Sequence, residues 1–218
     1  MLRKIAFAVC LIVLFTAVAA PALAAEEGKW MVRLRALNLR PANESDAIDV
    51  ADLQLAKDQI EVSKKTFPEV DITYFFTPNS AAELVLTYPQ KHDVDVKGVG
   101  NIGSFKHLPP TLSIQYHFLP EGQFRPYVGL GLNYTRISDV DITVETEELG
   151  VVKPDLSSSS TGFSIGAGFD VKVADKWFFN FDVKKVKLGA DITVAGVGKI
   201  GKVNVDPWLI SVGAGYRF

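Results

Sequence analysis

Two glycine motifs have the spacing of a dinucleotide-binding site. GVGNIG at 98–103 and GVGKIG at 196–201 both fit the pattern GxGxxG, whose glycines let a backbone approach a pyrophosphate at the start of a helix. That chemistry needs a strand before the motif and a helix after it. Neither motif is followed by a helical hydrophobic pattern, so the favoured interpretation is a tight turn within a loop.

Acidic residues recur in three segments that could supply oxygen ligands to a divalent cation. The segments are DVDVKG at 93–98, DVDITVE at 139–145 and ADITV at 190–194. Spaced carboxylates of this kind are also typical of a solvated rim, and that interpretation is favoured. We therefore predict neither a bound metal nor a cofactor.

The three histidines of the chain are the remaining candidates for catalysis. His92 and His107 lie in one predicted connection, and His117 lies on a predicted strand. Ser104 is close to His107 in sequence, but a hydrolytic site needs a nucleophile, a base and a group that orients the base. No such motif is recognisable, so we expect polar residues of a rim or an interior and no enzyme activity.

The end of the chain, Asp206 to Phe218, indicates how the other elements are organised. From Trp208 onward every second residue is apolar or aromatic, and the residues between are small or polar apart from Leu209. The aromatic ends frame a stripe long enough to cross a bilayer obliquely, which takes roughly nine to eleven residues. We interpret it as a membrane strand, although a strand of a soluble sandwich would alternate similarly.

The N-terminal residues have the features of a secretory signal peptide. Arg3 and Lys4 precede an apolar run, and Ala22-Leu23-Ala24 supplies the small residues of a cleavage site. The apolar run is too short for a membrane helix. We predict a signal peptide over residues 1–24.

The predicted mature chain, residues 25–218, is expected to be a single domain. Cys10 lies in the removed segment, so no disulfide is expected. Loss of Arg3 and Lys4 leaves 21 of the 23 basic residues against 25 acidic ones, a formal charge of −4. Nucleic acid is not among the predicted partners.

Eight segments of the mature chain alternate like half-buried strands. They are Lys29–Arg40, Pro68–Thr77, Ala81–Pro89, Pro110–Phe118, Arg125–Thr135, Thr161–Val173, Trp177–Lys187 and Asp206–Phe218. Long connections at 41–67, 90–108, 136–160 and 188–205 alternate with short ones at 77–80, 119–124 and 174–176. We therefore predict an all-β fold, an eight-stranded antiparallel transmembrane β-barrel of the bacterial outer membrane, with long extracellular loops and short periplasmic turns.

The distribution of charge distinguishes a membrane barrel from a soluble one. A lipocalin-like barrel would place its apolar residues inside, whereas here one face is a continuous apolar band and the charged set needs an enclosed lumen. The inward charges are Arg33, Arg35, Lys184 and Arg217 against Asp71, Glu83, Asp170 and Asp182. Because unpaired charges are costly in a narrow lumen, these residues are predicted to form a salt-bridge network that plugs its lower part.

Three segments carry a resemblance to a known family. HLPPTL at 107–112, FRPYVGLGLNYT at 124–135, and DPW followed by AGYRF within 206–218 resemble signature stretches of the OmpW family of small outer-membrane barrels, in the same order and spacing. The resemblance implies an eight-stranded barrel whose relatives are proposed to pass small hydrophobic compounds. A passive conduit for a small apolar solute is the function it implies.

The barrel pattern alone fits a second function equally well, a surface protein whose long loops mediate adhesion, phage contact or host contact. For a conduit, the wall should be weakest where prolines remove backbone donors. We predict a side opening into the membrane lined by Tyr88, Pro89, Leu108, Pro109 and Pro110. The simpler alternative is that these prolines only end strands.

The final aromatic residue has a predicted role in assembly. Tyr216 and Phe218 resemble the signal by which the outer-membrane assembly machinery recognises a closing strand. The predicted partners are therefore outer-membrane lipid, lipopolysaccharide, that machinery and a small apolar solute.

Overall fold

The computed structural model describes residues 27–50, 53–148 and 150–218, so the predicted signal peptide lies outside the described residues. The strands, in chain order, are β1 (Trp30–Arg40), β2 (Glu44–Ser45), β3 (Ile48–Val50), β4 (Leu53–Leu55), β5 (Ile60–Val62), β6 (Lys65–Phe75), β7 (Ser80–Leu86), β8 (Gln90–Val96), β9 (Gly100–Leu108), β10 (Thr111–His117), β11 (Phe124–Ile142), β12 (Val144–Thr146), β13 (Gly150–Val152), β14 (Asp155–Leu156), β15 (Ser159–Lys172), β16 (Trp177–Val186), β17 (Gly189–Val194), β18 (Gly198–Asn204) and β19 (Trp208–Arg217). Within these ranges no helix is long and apolar enough to cross a membrane.

Eight of these strands close into the predicted antiparallel barrel. Around the barrel they follow the order β1, β6, β7, β10, β11, β15, β16 and β19, and β19 pairs again with β1. The closing ladder runs from Met31 opposite Arg217 to Arg40 opposite Trp208. Because the ring closes, none of its eight strands is left as an open sheet edge, which is what a lipid environment demands. The predicted fold class is confirmed.

The strands extend further from the membrane than predicted. β6 begins at Lys65 rather than Pro68, and β11 continues to Ile142, well beyond Thr135. The long connections also contain strands, among which β8 and β9 form one hairpin and β17 and β18 another. The carboxylate-rich segments that we attributed to a rim therefore alternate because they are strands, and they build an extension on the extracellular side.

The two glycine motifs form the tips of these hairpins. Gly98 and Gly100 have φ angles of 82° and 100°, and Gly196 and Gly198 have 81° and 95°. Only glycine adopts such angles without a steric cost, and this explains the residue type at each turn. The remainder of each motif lies in β9 or β18 rather than in a loop, and no helix follows.

The two faces of the wall strands differ as the alternation predicts. Leu34, Leu130 and Leu132 are 61–70% exposed on the outside, where they would contact lipid. Arg33 and Arg35, which flank Leu34 on β1, are buried in the lumen. Because side chains alternate along a strand, one short run of sequence supplies both the lipid face and the polar interior.

The lumen is filled in layers from the periplasmic to the extracellular end. The lowest apolar layer consists of Met31, Phe75, Ala81 and Phe178. A charged layer follows at the level of Arg33 and Arg35. Above it, a second apolar layer consists of Leu37, Leu39, Phe67, Val186 and Leu209. The extension beyond the membrane contains the largest apolar cluster, built from β5, β8, β9, β17 and β18 together with neighbouring segments.

Candidate functional site

Arg33 is the centre of the lower half of the charged layer. Its Nε and Nη2 atoms donate to the two carboxylate oxygens of Asp170 at 3.1 and 2.7 Å. A third donor, Nη1, reaches the hydroxyl of Thr73 at 2.7 Å. The side chain is fully buried, and a paired, planar guanidinium of this kind is the form in which a buried positive charge is tolerated.

Arg35 organises the upper half, one inward position further along β1. Its Nη2 lies 2.6 Å from Asp71 and its Nε lies 2.7 Å from Glu69. Its Nη1 donates to the side-chain oxygen of Asn180 at 3.1 Å. Each of these partners is buried, so Arg35 joins β6 to β16 through the lumen.

Lys184 completes the layer on the far side. Its ammonium group lies 3.0 Å from Glu83 and 2.7 Å from Asp182. The hydroxyl of Tyr127 donates to Asp182 at 2.9 Å. The structure therefore brings seven of the eight predicted lumenal charges into one connected layer.

Arg217, the eighth, lies apart from this layer. Its Nη1 bonds Glu27 at 2.9 Å and its Nε donates to the carbonyl of Gly28 at 2.7 Å, while its guanidinium stacks 3.8 Å from the ring centre of Phe75. The prediction that it belongs to the network is wrong. The alternation placed it correctly inward, but the apolar layer around Phe75 separates it from Arg33.

Glu27 gathers several bases at the periplasmic end. Arg125 donates to it at 2.7 Å and Lys172 at 2.8 Å, in addition to Arg217. Partial burial would raise the pKa of this carboxyl, but the hydrogen bonds and positive charges outweigh burial and hold the pKa at about 2. The cluster ties the segment before β1 to three wall strands.

Sequence reasoning missed seven members of the charged layer and the Glu27 cluster, which are Glu69, Thr73, Tyr127, Asn180, Glu27, Arg125 and Lys172. Glu69, Thr73, Tyr127 and Asn180 face inward by alternation, but only a balanced set of formal charges was selected. With Glu69 included, three basic residues of the layer bind five acidic ones. Glu27 lies outside any strand, so no periodic signal could reveal it.

The wall has a break beside the predicted side opening. The ladder between β7 and β10 ends at Val85 opposite Thr111, and the ladder between β8 and β9 begins at Gln90 opposite His107. The five predicted residues lie between these two ends, on the segments 86–89 and 108–110. Pro89, Pro109 and Pro110 have no backbone N–H to donate, which accounts for the missing rungs.

The same break continues on the other side of β7. There the ladder between β6 and β7 ends at Leu86 opposite Val70. The next ladder on that side joins β5 and β8 and begins at Val94 opposite Val62. Within the described residues, 87–89 thus has no ladder partner on either side. A hydrogen bond of 3.3 Å from the Thr87 hydroxyl to the carbonyl of Pro68 spans the interval.

A small cavity joins this break to the lumen. Its volume is about 20 Å³, and Thr87, Pro109 and Thr111 form the wall side. Arg35 and Lys184 contribute from the charged layer, which lies below the apolar layer around Leu37. Tyr88 is 54% exposed on the outer surface. The break therefore lies immediately above the charged layer.

An apolar cavity of about 70 Å³, here named the apolar chamber, lies in the extracellular extension. Hydrophobic side chains line it, including Ile60, Val96, Phe105, Leu156 and Ile192. Among the described residues no cluster of three or more His, Cys, Asp or Glu could hold a metal ion. The apolar chamber thus lies above the break in the wall, and the charged layer lies below it.

Tyr216 and Phe218 stand at the periplasmic end of the closing strand. Their rings stack with centroids 6.1 Å apart, and Trp177 packs against Tyr216 at 5.0 Å. The Phe218 backbone exchanges hydrogen bonds of 2.8 and 3.1 Å with Trp30. The last residue thus completes the closing ladder and carries an exposed ring.

Comparison with known proteins finds relatives along nearly the whole chain. A family model described as "OmpW family" matches residues 26–218. The outer-membrane protein y4mB of Sinorhizobium fredii is 38% identical, over 87% of this chain and 80% of that protein. Outer membrane protein W of Vibrio cholerae is 32% identical, over 91% of this chain and 93% of that protein.

The fold agrees with a solved structure of the same kind. The crystal structure of the outer membrane protein OprG from Pseudomonas aeruginosa superposes with a TM-score of 0.76 at 30% identity. The match covers 88% of this chain and 96% of that one.

Proposed function

Because the chain belongs to the OmpW family of outer-membrane barrels, we propose that it is a passive conduit for small hydrophobic molecules, which enter from the extracellular side and leave sideways into the membrane. The observation that carries this proposal is the order of the layers. The apolar chamber lies in the extension, above the apolar layer around Leu37. The small cavity behind the break is lined by residues of that apolar layer and of the charged layer below it.

The charged layer argues against straight passage through the lumen. An apolar solute would have to separate Arg33 from Asp170 and Arg35 from Asp71, and each separation leaves a buried charge unpaired. An apolar solute has no polar group that could replace the hydrogen bonds of the separated residues. A sideways exit avoids this cost, because residues 87–89 have no ladder partner on either side, whereas hydrogen-bonded ladders hold the rest of the wall together.

The chamber itself offers what such a solute needs. Ile60, Phe105 and Ile192 are at most 7% exposed and face a cavity lined by hydrophobic side chains. Burial of apolar surface stabilises a bound molecule by roughly 25 cal/mol per Å². The extension would thus hold a solute outside the lipopolysaccharide and deliver it to the wall.

Uptake into vesicles with a lipopolysaccharide outer leaflet tests the proposal. Ile192→Asn places an amide in the chamber, and Val197→Asn makes the same change at the exposed tip of the same hairpin, where Val197 is 52% exposed. We expect Ile192→Asn to reduce uptake of n-octane and Val197→Asn to leave it unchanged. Equal uptake by wild type, Ile192→Asn and protein-free vesicles would refute the conduit.

A specific observation also favours the second candidate, surface contact. Val99 and Val197 are 72% and 52% exposed at two hairpin tips, and Val151 is 63% exposed on β13. Exposed apolar residues on the extracellular extension fit contact with another surface. Retained octane uptake but lost attachment to cells or phage in Val197→Asn, whose side chain does not line the apolar chamber, would assign this second role.

A further inference from the structure

Two buried histidines lie on the β8–β9 hairpin, on either side of Phe105, whose ring lines the apolar chamber of the extension. His92 on β8 and His107 on β9 stack with ring centroids 4.7 Å apart and an interplanar angle of 26°. Both side chains are at most 2% exposed. Gln90, the partner of His107 across the ladder, is also fully buried. Gln90 and His107 form the first pair of the β8–β9 ladder after the break, and His92 lies two residues further along β8.

Most of the polar atoms in this group have no hydrogen-bond partner. The exceptions are His92 Nδ1, which lies 2.6 Å from the carbonyl of Ser63, and Gln90 Nε2, which donates to the carbonyl of Tyr88 at 3.0 Å. The unpartnered atoms are His92 Nε2, both ring nitrogens of His107 and Gln90 Oε1. Buried polar atoms without partners are rare and costly, so their presence calls for a cause.

The existing hydrogen bonds fix what each free atom can do. A carbonyl only accepts, so His92 Nδ1 carries the proton and His92 Nε2 is left as an acceptor. Gln90 Oε1 is an acceptor as well. His107 contributes one donor and one acceptor while its ring is neutral. The group therefore presents an excess of acceptors with one donor.

Both rings are neutral near pH 7. Burial, together with the neighbouring His92 and the charge of Lys65, lowers the pKa of His107 to about 3. Burial lowers the pKa of His92 too, against the opposing effects of the Ser63 carbonyl and Asp93. Lys65 and Asp93 are the charged residues that act on the pair.

We infer that His92, His107 and Gln90 form a hydrogen-bonding site for the hydroxyl group of a long-chain alcohol or similar monohydroxylated hydrophobic molecule. A hydroxyl donates one proton and accepts others, so it can donate to His92 Nε2 or Gln90 Oε1 and accept from His107. A carboxylate only accepts and would face two acceptors. An alkane satisfies none of the four atoms. The apolar tail of the alcohol would lie in the adjoining chamber.

This inference rests on the proposed conduit but assigns it a preference that the apolar chamber alone would not give. A chamber without the polar group would favour the alkane, because the hydroxyl would lose its hydrogen bonds with water on entry. With the group present, the alcohol should be favoured by about tenfold, which corresponds to one net hydrogen bond.

Selective labelling gives a direct test, because the chain has only three histidines. In the ¹⁵N-histidine protein in lipid nanodiscs, 1-octanol should shift the imidazole signals of His92 and His107. The signal of His117, which packs against Phe75 and Tyr127 near the charged layer, is the internal control and should not move. Octane at equal concentration should produce no comparable shift. Absence of any octanol-specific shift at His92 and His107 would mean that water alone satisfies these atoms and would overturn the site.

A variant separates the site from the conduit. His107→Phe keeps the aromatic stack and removes both free nitrogens, so it should abolish the preference for 1-octanol while octane uptake continues. Equal uptake of both solutes by wild type, unchanged in His107→Phe, overturns the site and leaves the conduit intact. Uptake of neither solute, with the octanol shifts still present, supports the site and refutes the conduit.

Discussion

Arg33 and Asp170 form a two-point hydrogen bond across the lumen, although 137 positions separate them in the chain. They lie on β1 and β15, with β19 and β16 between them around the wall. The contact therefore braces parts of the barrel that no ladder joins directly. It also makes the charged layer a barrier to apolar solutes.

Arg33→Ala should destabilise the barrel by about 3–5 kcal/mol, because it leaves Asp170 buried without its partner. Urea-unfolding midpoints in lipid vesicles measure the effect. Lys97→Ala is the control, since Lys97 and Glu61 form an exposed pair at 3.6 Å that contributes roughly 0–1 kcal/mol. A midpoint of Arg33→Ala that matches wild type would show that water enters the layer and solvates the charges.

Glu27→Gln should lower stability in a pH-dependent way. The carboxyl has its pKa held at about 2, below the usual 4.5, so its ionised form stabilises the folded state above pH 4.5 and this contribution is lost as the pH falls toward 2. We expect a loss of roughly 1–2 kcal/mol in the variant at pH 7, allowing for solvent screening. Unfolding midpoints of the two proteins should converge near pH 2. A difference that stays constant from pH 7 to pH 2 would contradict an electrostatic role.

Phe218→Ala should reduce the amount of barrel assembled in the outer membrane. The substitution keeps the backbone bonds between Phe218 and Trp30, so refolding of purified protein into lipid should be unaffected. Phe118→Ala is the matched control, because the two rings are 52% and 53% exposed. Equal cellular yields of both variants and wild type would remove the proposed recognition by the assembly machinery.

The part of the fold that repeats with the strand could be predicted from sequence. Period-two alternation assigned Arg33 and Leu34 to opposite faces, because successive side chains must point to opposite sides of a sheet. Alternation says nothing about height along the barrel. Arg217 was therefore placed with Arg33, although the ring of Phe75 stands between their levels.

The wall break shows a second limit. The position of the break could be predicted from the prolines in the sequence, because a proline lacks a backbone N–H donor wherever it occurs. The register across it follows instead from the whole ladder, in which Leu112 stands opposite Leu84. The His92 and His107 pair needed the structure altogether, since a long connection gave no sign that it folds into a hairpin.

An engineered disulfide can close the break reversibly. The only cysteine, Cys10, lies in the predicted signal peptide, so two introduced cysteines would have no competing thiol in the predicted mature chain. If the register of β7 and β10 is extended past its last pair, Val85 and Thr111, Tyr88 comes opposite Leu108. A disulfide in Tyr88→Cys/Leu108→Cys would draw the two segments to about 5.5–6 Å between Cα atoms. The Leu84→Cys/Leu112→Cys pair is the control, since it joins strands that are already hydrogen-bonded.

Octane uptake by the oxidised and reduced forms of these two double variants is the most direct test of the sideways conduit. We predict that oxidation of Tyr88→Cys/Leu108→Cys abolishes uptake, that reduction restores it, and that the Leu84→Cys/Leu112→Cys control takes up octane equally in both states. Uptake that persists unchanged in oxidised Tyr88→Cys/Leu108→Cys would contradict an exit through this break.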